Sequence, residues 1–220
     1  MSAQLQQYPI QLIEDDIALA QSLLMLLSAS NYSCVHYKSA EDFLVAVKNN
    51  SQALHLPTCV VSDIRLPKLS GMDMMARLRK EHPGCVWPVI LVTGHADVAM
   101  AVDAMHMGAF DFLTKPFDPF LLTQKITAAL EKSQQIKATQ DFVASYELHV
   151  ANLSEQERKI YGMILENQTS REIAETLGNS TRTIEVHRAS IFKKMEVASI
   201  LELAKISERY ALLKPKLESN

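Results

Sequence analysis

Short apolar runs alternate with helix-period segments through the first 130 residues. Each run is four residues long, and several are rich in β-branched side chains, which is typical of buried strands. The runs are Ile10–Ile13, Cys34–Tyr37, Cys59–Ser62, Val89–Val92 and Phe110–Leu113. The pattern therefore predicts five strands in this part of the chain.

Apolar residues between these runs recur at helical spacing. The predicted helices are Ile17–Leu27, Glu41–Lys48, Met72–Lys80, Val98–Met107 and Phe120–Leu130. Asp16, Ser39 and Asp97 stand where side-chain caps are expected. Such alternation predicts an α/β fold, a doubly wound five-stranded parallel sheet with right-handed crossovers and helices on both faces. Functional groups are then expected at the carboxyl ends of the strands.

The rest of the chain is predicted to be helical. Residues 131–149 contain no Gly and no Pro, which indicates a helical connector that continues the preceding helix. Capping-box patterns start at Ser154 and Thr169, Gly178 ends a short helix, and Ser180 caps the next. Two helices joined by a tight turn are typical of a helix-turn-helix, here within an all-α, four-helix domain whose last helix covers Ser199 to about Leu212.

These patterns give the domain limits. We predict a first domain over residues 8–130, a helical linker over 131–150, and a helix-turn-helix domain over 151–213. The linker's apolar positions are too irregular for a confident coiled coil, so both pairing between chains and packing within one chain stay open.

Composition agrees with two folded domains of modest size. Hydrophobic residues make up 48% and charged residues 21% of the 220, which is unlike an intrinsically disordered chain. No apolar run has the length of a membrane span, and the polar start MSAQLQQYP lacks signal-peptide features, so we expect a cytoplasmic protein without a membrane partner. Three widely spaced cysteines fit reduced core thiols, and Cys34 with His36 supplies two ligands where structural zinc needs four.

Charge is unevenly distributed. The net charge of −3 belongs to residues 1–130, whereas residues 131–220 are neutral overall. Residues 180–194 nevertheless hold four basic residues and one acid on a single predicted helix. This local excess suggests contact with an anion, although a solvated charged face is the commoner origin of such a run.

Acidic and basic side chains follow the predicted strands. Glu14, Asp15 and Asp16 come after the first strand, and Asp63 after the third. Thr93 and Lys115 follow the fourth and fifth. Acids brought together repel one another unless a cation lies among them, and an oxygen-only site suits Mg²⁺. A carboxylate nucleophile with Mg²⁺, a Lys and a Thr hydroxyl can perform phosphoryl transfer.

Each of these residues also has a structural explanation. An Asp after a strand is often a helix cap, Thr93-Gly94 can be a turn, and Lys115-Pro116 can be a surface Lys before a helix. A phosphatase of the haloacid dehalogenase type also uses a strand-end Asp with Mg²⁺, Thr and Lys. That class needs a second Asp two residues later, where this chain has Arg65. The combination across five βα units favours phosphoryl transfer over separate structural roles.

Several motifs carry a family resemblance. IEDD at 13–16, VVSDIRLPKLSGMDMMARLR at 60–79, VTGHADVAMAV at 92–102 and GAFDFLTKPF at 108–117 resemble the receiver domain of bacterial two-component response regulators. LSEQERKIYGMILENQTSREIAETLGNSTRTIEVHRASIFKKM, residues 153–195, resembles the LuxR-type DNA-binding domain. Together they are similar to the NarL/FixJ class, which implies a flavodoxin-like receiver followed by a helix-turn-helix.

The resemblance assigns roles position by position. It implies that Asp63 is the phosphoacceptor, that Glu14, Asp15, Asp63 and the backbone carbonyl of Arg65 hold Mg²⁺, and that Thr93 and Lys115 contact the phosphoryl oxygens. Phe112 would be the aromatic that switches rotamer with Thr93; because it lacks a hydroxyl, its switching would depend on packing. Arg65 and His95 would flank the site and govern water access. The Lys115-Pro116 bond is expected to be cis, or else Pro116 merely starts a helix.

The helix beginning at Thr181 is the predicted DNA-reading element. Ile184 and Ile191 should pack inward against Ile173, Ala174 and Leu177. A helix of this size fits the major groove, where phosphate contacts set position and a few side chains touch bases. The phosphate candidates are Thr181, Arg182, Thr183, Arg188 and Lys193. By resemblance, Glu185, Val186 and Ala189 face the bases.

The resemblance also implies partners. They are a sensor histidine kinase as phosphoryl donor, double-stranded promoter DNA and RNA polymerase. A homodimer is expected on phosphorylation or on DNA, and Ile200, Leu203 and Ala204 can either form that contact or lie in the domain core. The chain has no GxxxxGK[ST] loop for ATP and is not expected to be a turnover enzyme. A Mg²⁺ phosphatase, and a DNA-binding protein whose receiver takes no phosphate, are the alternatives.

Overall fold

The computed structural model describes residues 8–94 and 98–218. Within its first part, the strands are β1 (Ile10–Ile13), β2 (Cys34–Tyr37), β3 (Val60–Asp63), β4 (Val89–Thr93) and β5 (Asp111–Thr114). The helices are α1 (Ile17–Ala29), α2 (Ala40–Asn49), α3 (Gly71–Glu81) and α4 (Val98–His106), with a 3₁₀ helix at Ser51–His55. The α5 helix (Pro119–Ala151) follows β5.

The five strands form one parallel sheet in the order β2-β1-β3-β4-β5. This confirms the predicted doubly wound sheet. The strand order reverses beside β1, so the crevice at the carboxyl ends of β1 and β3 is the topological switch point.

Each face of the sheet is covered by helices. One face packs against α2, α3 and α4 around the fully buried Phe43 and Met74. The other packs against α1 and α5 around Leu27 and Ile126. Burying one such side chain contributes about 1.5–3 kcal/mol, so this two-sided core holds the strand ends that carry the acidic residues.

Local signals place the helix starts. The Asp16 carboxylate accepts hydrogen bonds from the amides of Ala18 and Leu19, and the Ser39 hydroxyl accepts one from Asp42, as predicted. The predicted cap Asp97 and the site-flanking His95 lie outside the described residues. A side-chain cap satisfies amide groups that the first helical turn leaves unpaired.

The α5 helix is one continuous element of 33 residues. The predicted helix Phe120–Leu130 and the predicted connector are therefore parts of the same helix. The chain divides into two compact units between Lys137 and Ala138. In the second unit, Tyr146 of α5 belongs to the unit's own core, and Val143 of the same helix is also buried.

The second unit also contains α6 (Glu155–Leu165), α7 (Ser170–Leu177), α8 (Thr181–Lys194) and α9 (Ile200–Glu218). Both capping boxes form as predicted, at Ser154 and at Thr169. Gly178 ends α7 in the left-handed region at φ 65°, which glycine adopts at little cost. The helix-turn-helix is therefore confirmed.

The core of this unit is built from fully buried isoleucines and Leu203. Ile184 and Ile191 of α8 belong to the same cluster as Ile173 and Ala174 of α7, as predicted. Leu203 is fully buried, whereas Ile200 is exposed. Of the two roles left open for Leu203, the structure therefore shows the core role.

Candidate functional site

Three carboxylates meet at the switch point of the sheet. Glu14 follows β1 and is buried, Asp63 is the last residue of β3 and is 9% exposed, and Asp15 is exposed. One oxygen of each lies within 4.8 Å of the others. Because β1 and β3 are adjacent parallel strands, their carboxyl ends bring these acids together as the sequence predicted.

Lys115 joins two of the three acids. Its Nζ atom donates to Glu14 Oε2 at 2.7 Å and to Asp63 Oδ2 at 2.5 Å. The Lys115 amide donates to the Thr93 carbonyl at 2.7 Å, which extends the pairing of β4 and β5 beyond the last strand residues. The following bond to Pro116 is cis, as expected. The ammonium group thus partly neutralises the acidic cluster.

Burial and pairing act in opposite directions on these groups. Burial raises the pKa of Glu14, although the hydrogen bond from Lys115 opposes that shift. For Lys115, burial alone would lower the pKa, but hydrogen bonds to Asp63 and Glu14 outweigh it and raise the pKa above its ordinary value. The lysine is therefore a permanent cation at neutral pH.

Backbone groups fix the position of Asp63. The Arg65 amide donates to Asp63 Oδ1 at 2.8 Å, and the Ser62 hydroxyl donates to the Asp63 carbonyl oxygen at 2.9 Å. Gly71, the first residue of α3, packs against the same carbonyl; a Cβ there would lie 2.2 Å from the oxygen. No local pattern in the sequence marks Gly71, because the close approach joins residues eight positions apart.

Thr93 and Phe112 lie on the two strands that follow β3 in the sheet. Asp63 of β3 pairs with Val92 of β4. Thr93 is the next residue, at the end of β4, and its side chain is fully buried. Phe112 pairs with Leu91 on β5 and is partly buried. Since alternate residues of a strand share a face, Thr93 lies on the same face of the sheet as Leu91 and its neighbour Phe112. The structure therefore places Thr93 and Phe112 on one side of the sheet, two residues apart along the paired strands β4 and β5.

The donor set fits Mg²⁺. Glu14, Asp15 and Asp63 supply oxygen ligands only, which Mg²⁺ prefers, and the exposure of Asp15 leaves room for water ligands. Cys34 and His36 are too few for the zinc site that the sequence already disfavours, and the His36 Nε2 atom lies 2.8 Å from the Glu14 carbonyl oxygen. It thus supports the loop that carries Glu14 and Asp15.

The helix-turn-helix presents the predicted DNA-contacting residues on α8. Thr181, Arg182, Glu185, Val186, Ala189 and Lys193 are exposed, Val186 by 65%. Thr183 and Arg188 are half-buried: the Thr183 hydroxyl is hydrogen-bonded to the Ser180 hydroxyl, and the Arg188 guanidinium lies over the Phe192 ring. The structure thus leaves six of the eight open to solvent.

Comparison with known proteins identifies a family for each of the two domains. Residues 10–127 match the family described as response regulator receiver domain, and residues 151–207 match bacterial regulatory proteins of the luxR family. The transcriptional regulatory protein FixJ of Azorhizobium caulinodans is 35% identical over 199 residues, covering 90% of this chain and 91% of that protein. The response regulator protein TodT of Pseudomonas putida is 33% identical over 209 residues, covering 95% and 88%.

This chain is a response regulator of the NarL/FixJ class. The solved structure of the response regulator StyR has a TM-score of 0.81 at 26% identity, covering 92% of this chain and 98% of that one. Full-length FixJ from B. japonicum has a TM-score of 0.56 at 33% identity, covering 94% and 99%. The response regulator therefore combines a receiver domain with a DNA-binding domain that regulates transcription.

The response regulator also contains an ion pair that the sequence did not reveal. Glu157, buried at the start of α6, accepts hydrogen bonds from Lys194 Nζ at 2.6 Å, Ser190 Oγ at 2.7 Å and the Ser154 amide at 2.7 Å. These bonds lower the pKa of Glu157 to about 2. The sequence identified only its capping-box role, because the partners lie on another helix.

No helix of the response regulator, over the ranges 8–94 and 98–218, has the length and apolar character to cross a membrane.

Proposed function

We propose that Asp63 of this response regulator accepts a phosphoryl group from a phosphohistidine of a partner sensor kinase. One observation supports this assignment above the others: the Lys115 ammonium bridges Asp63 Oδ2 and Glu14 Oε2 at the switch point of the sheet. A cation at this position can neutralise charge that develops on phosphoryl oxygens during transfer.

The step is a direct displacement at phosphorus. An Asp63 carboxylate oxygen forms the new P–O bond while the P–N bond of the donor breaks, and the imidazole leaves with the electron pair. Thr93 and Lys115 contact the phosphoryl oxygens, and the amide of Arg65 orients the carboxylate from the other side. Phe112 then repacks with Thr93, which changes the surface near β5.

Glu14, Asp15, Asp63 and the backbone carbonyl of Arg65 are the proposed Mg²⁺ ligands. When bound, the ion supplies positive charge that balances the acids and the transferred group. The site groups three acidic side chains, and Lys115 pairs with two of them. Transfer is therefore expected to require the divalent cation.

The DNA-binding residues are proposed on α8. Thr181, Arg182, Thr183, Arg188 and Lys193 contact phosphates, while Glu185, Val186 and Ala189 face the bases in the major groove. We propose that two chains pair on phosphorylation or on DNA, because one such domain has little affinity alone, and that RNA polymerase is the final partner. We propose that the receiver domain covers residues 8–130, the helical linker 131–150 and the DNA-binding domain 151–213. The protein is proposed to act in the cytoplasm.

A turnover phosphatase is the alternative enzyme function. Such an enzyme needs a general acid two residues after the nucleophile, and Arg65 stands there. We therefore propose that the receiver assists only its own phosphorylation and dephosphorylation.

Acetyl phosphate labelling tests the proposal. With Mg²⁺, the wild-type chain should gain one phosphoryl group by mass spectrometry, Asp63→Asn should gain none, and the exposed control Asp103→Asn should label normally. Turnover of added phosphate esters should be negligible. Labelling of Asp63→Asn, or rapid ester hydrolysis, would overturn the assignment, and an inert wild-type chain would indicate a receiver that takes no phosphate.

Footprinting on genomic DNA tests the output. Occupied sites should change between the labelled and unlabelled chain at a stated salt concentration, since DNA affinity depends steeply on salt. Identical occupancy in the two states would contradict control of DNA binding by phosphorylation.

A further inference from the structure

The α4 helix is held by little buried surface. Among its nine residues, Ala104 is the buried one, whereas Val98 is 81% exposed and Val102 and Met105 are also exposed. Elements with few buried apolar contacts open at low free-energy cost. Ala104 and the partly buried Met100 are the residues of α4 that pack against the core of the sheet, so further contacts at its carboxyl end matter for its position.

An arginine from α3 binds the carboxyl end of α4. Arg79 Nη1 donates to the Met107 carbonyl oxygen at 2.8 Å, and Arg79 Nη2 donates to the Gly108 carbonyl oxygen. The last carbonyls of a helix lack intrahelical partners, and a cation near them is favourable. A neighbouring helix thus supplies the group that caps α4.

Gly108 leaves space for this arginine. It has a φ of +88°, and a Cβ built on it would lie 1.9 Å from Arg79 Nη1. The guanidinium therefore occupies the volume that any other residue at position 108 would fill. Glycine is favoured here by its backbone conformation and also by the contact itself.

The α3 helix connects this contact to the acidic site. Its first residue, Gly71, packs against the Asp63 carbonyl, and Arg79 lies in its last turn. On the other side of the contact, Gly108 precedes Phe112 by four residues. The two ends of α3 therefore contact different parts of the receiver, the Asp63 carbonyl at Gly71 and the segment between α4 and β5 at Arg79.

We propose that Arg79 is a positioning residue that fixes the carboxyl end of α4 to α3, so that structural change initiated at Asp63 is confined to the amino end of α4. The amino end is the natural place for such change, because only four residues separate Thr93 from Val98. The inference rests on the proposed phosphorylation of Asp63.

Hydrogen exchange of the full-length chain tests the contact without any phosphodonor. In R79M, which keeps the length of the side chain but not its donors, amides of residues 104–110 should exchange about tenfold faster. R79K, which restores one point charge, should recover part of the protection. R77M, an exposed arginine on the opposite face of α3, should match the wild type. Unchanged exchange of residues 104–110 in R79M would overturn the proposal.

Hydrogen exchange of the phosphorylated chain distinguishes the proposed positioning role of Arg79 from a purely structural role. With acetyl phosphate and Mg²⁺, the wild type should change its exchange at residues 98–101 and not at 104–108, whereas R79M should change at both. All of these chains should label at Asp63 at the same rate. Equal changes at both ends of wild-type α4 would refute the positioning role. Failure to label Asp63 would refute the proposed function instead. The hydrogen-exchange comparison of the unphosphorylated chains would still test the contact between Arg79 and α4.

A double-mutant cycle tests the steric link. G108A should speed exchange of residues 104–110 more in the wild-type background than in R79M, because only the backbone strain remains once the guanidinium is gone. The same effect in both backgrounds would contradict a shared contact between Arg79 and Gly108.

Discussion

Gly71 lies so close to Asp63 that a Cβ on the glycine would be 2.2 Å from the Asp63 carbonyl oxygen. The backbone of α3 therefore supports the proposed phosphoacceptor directly, and the carbonyl cannot move away without disturbing the hydrogen bond that it accepts from the Ser62 hydroxyl.

Gly71→Ala should destabilise the receiver by about 1–3 kcal/mol, as overpacking in a tight core does. It should also slow labelling of Asp63, because the carboxylate would be displaced. Urea unfolding and mass spectrometry measure the two effects. Gly94→Ala is the control, since a Cβ there has no neighbour within 4 Å among the residues that the structure describes, and it should leave stability nearly unchanged. Equal stability of the two variants would contradict the close approach.

Lys115→Met should reduce Asp63 labelling by about a hundredfold, the usual loss when a charge-stabilising group is removed. Mg²⁺ affinity, measured by titration calorimetry, should not fall, because the variant removes a cation that repels the ion. Lys125→Met is a matched control: Lys125 also forms a short ion pair, with Asp111 at 2.5 Å, but away from the site. Comparable loss of labelling in both variants would argue against a specific role for Lys115.

The ion pair between the buried Glu157 and the half-buried Lys194 predicts a pH dependence of stability. Because hydrogen bonds from Lys194 and Ser190 lower the pKa of Glu157 from 4.5 to about 2, the carboxylate stabilises the fold above pH 4.5. That contribution is lost as the pH falls toward 2. Glu157→Gln should therefore lower the free energy of unfolding by about 1–3 kcal/mol at neutral pH and by less near pH 2.5.

Urea unfolding followed by circular dichroism at several pH values measures this difference. Glu155→Gln provides the control, because Glu155 is exposed and forms its ion pair with Lys159 on the surface of the same helix. A Glu157→Gln deficit that persists unchanged at pH 2.5 would show that charge is not its origin.

On α8, phosphate and base contacts should behave differently. Arg182→Ala should weaken binding to all sequences alike and lower the slope of log affinity against log salt by about 1. Glu185→Ala should instead change which operator bases are preferred. Lys205→Ala, an exposed lysine on α9, should change neither. Selection from random DNA and titrations at several salt concentrations provide the comparison.

Much of the site follows from the sequence because parallel strands bring their carboxyl ends together. Asp63, Glu14 and Lys115 could be placed in one crevice on that ground alone. Helix starts were predicted equally well, since the hydrogen bonds at Ser154 and Thr169 involve neighbours three residues apart.

Other features depend on tertiary packing. The β4 strand extends one residue beyond its apolar run, to Thr93, whereas β3 and β5 each begin and end one residue later than predicted, at Asp63 and Thr114. The polar residues at these ends still join the sheet ladder. The contacts of Gly71 with Asp63, Arg79 with Gly108, and Glu157 with Lys194 join residues on different elements. No local pattern predicts such contacts, since they depend on how the helices pack.

The ion pair between Glu157 and Lys194 reduces the positive charge that α8 can offer to DNA. Lys194 is one of four basic residues between positions 180 and 194, yet its charge is matched by Glu157 within the protein. Only Arg182, Arg188 and Lys193 are then left to displace counterions from a DNA backbone. Promoter occupancy should therefore respond less to ionic strength than a simple count of lysines and arginines would suggest.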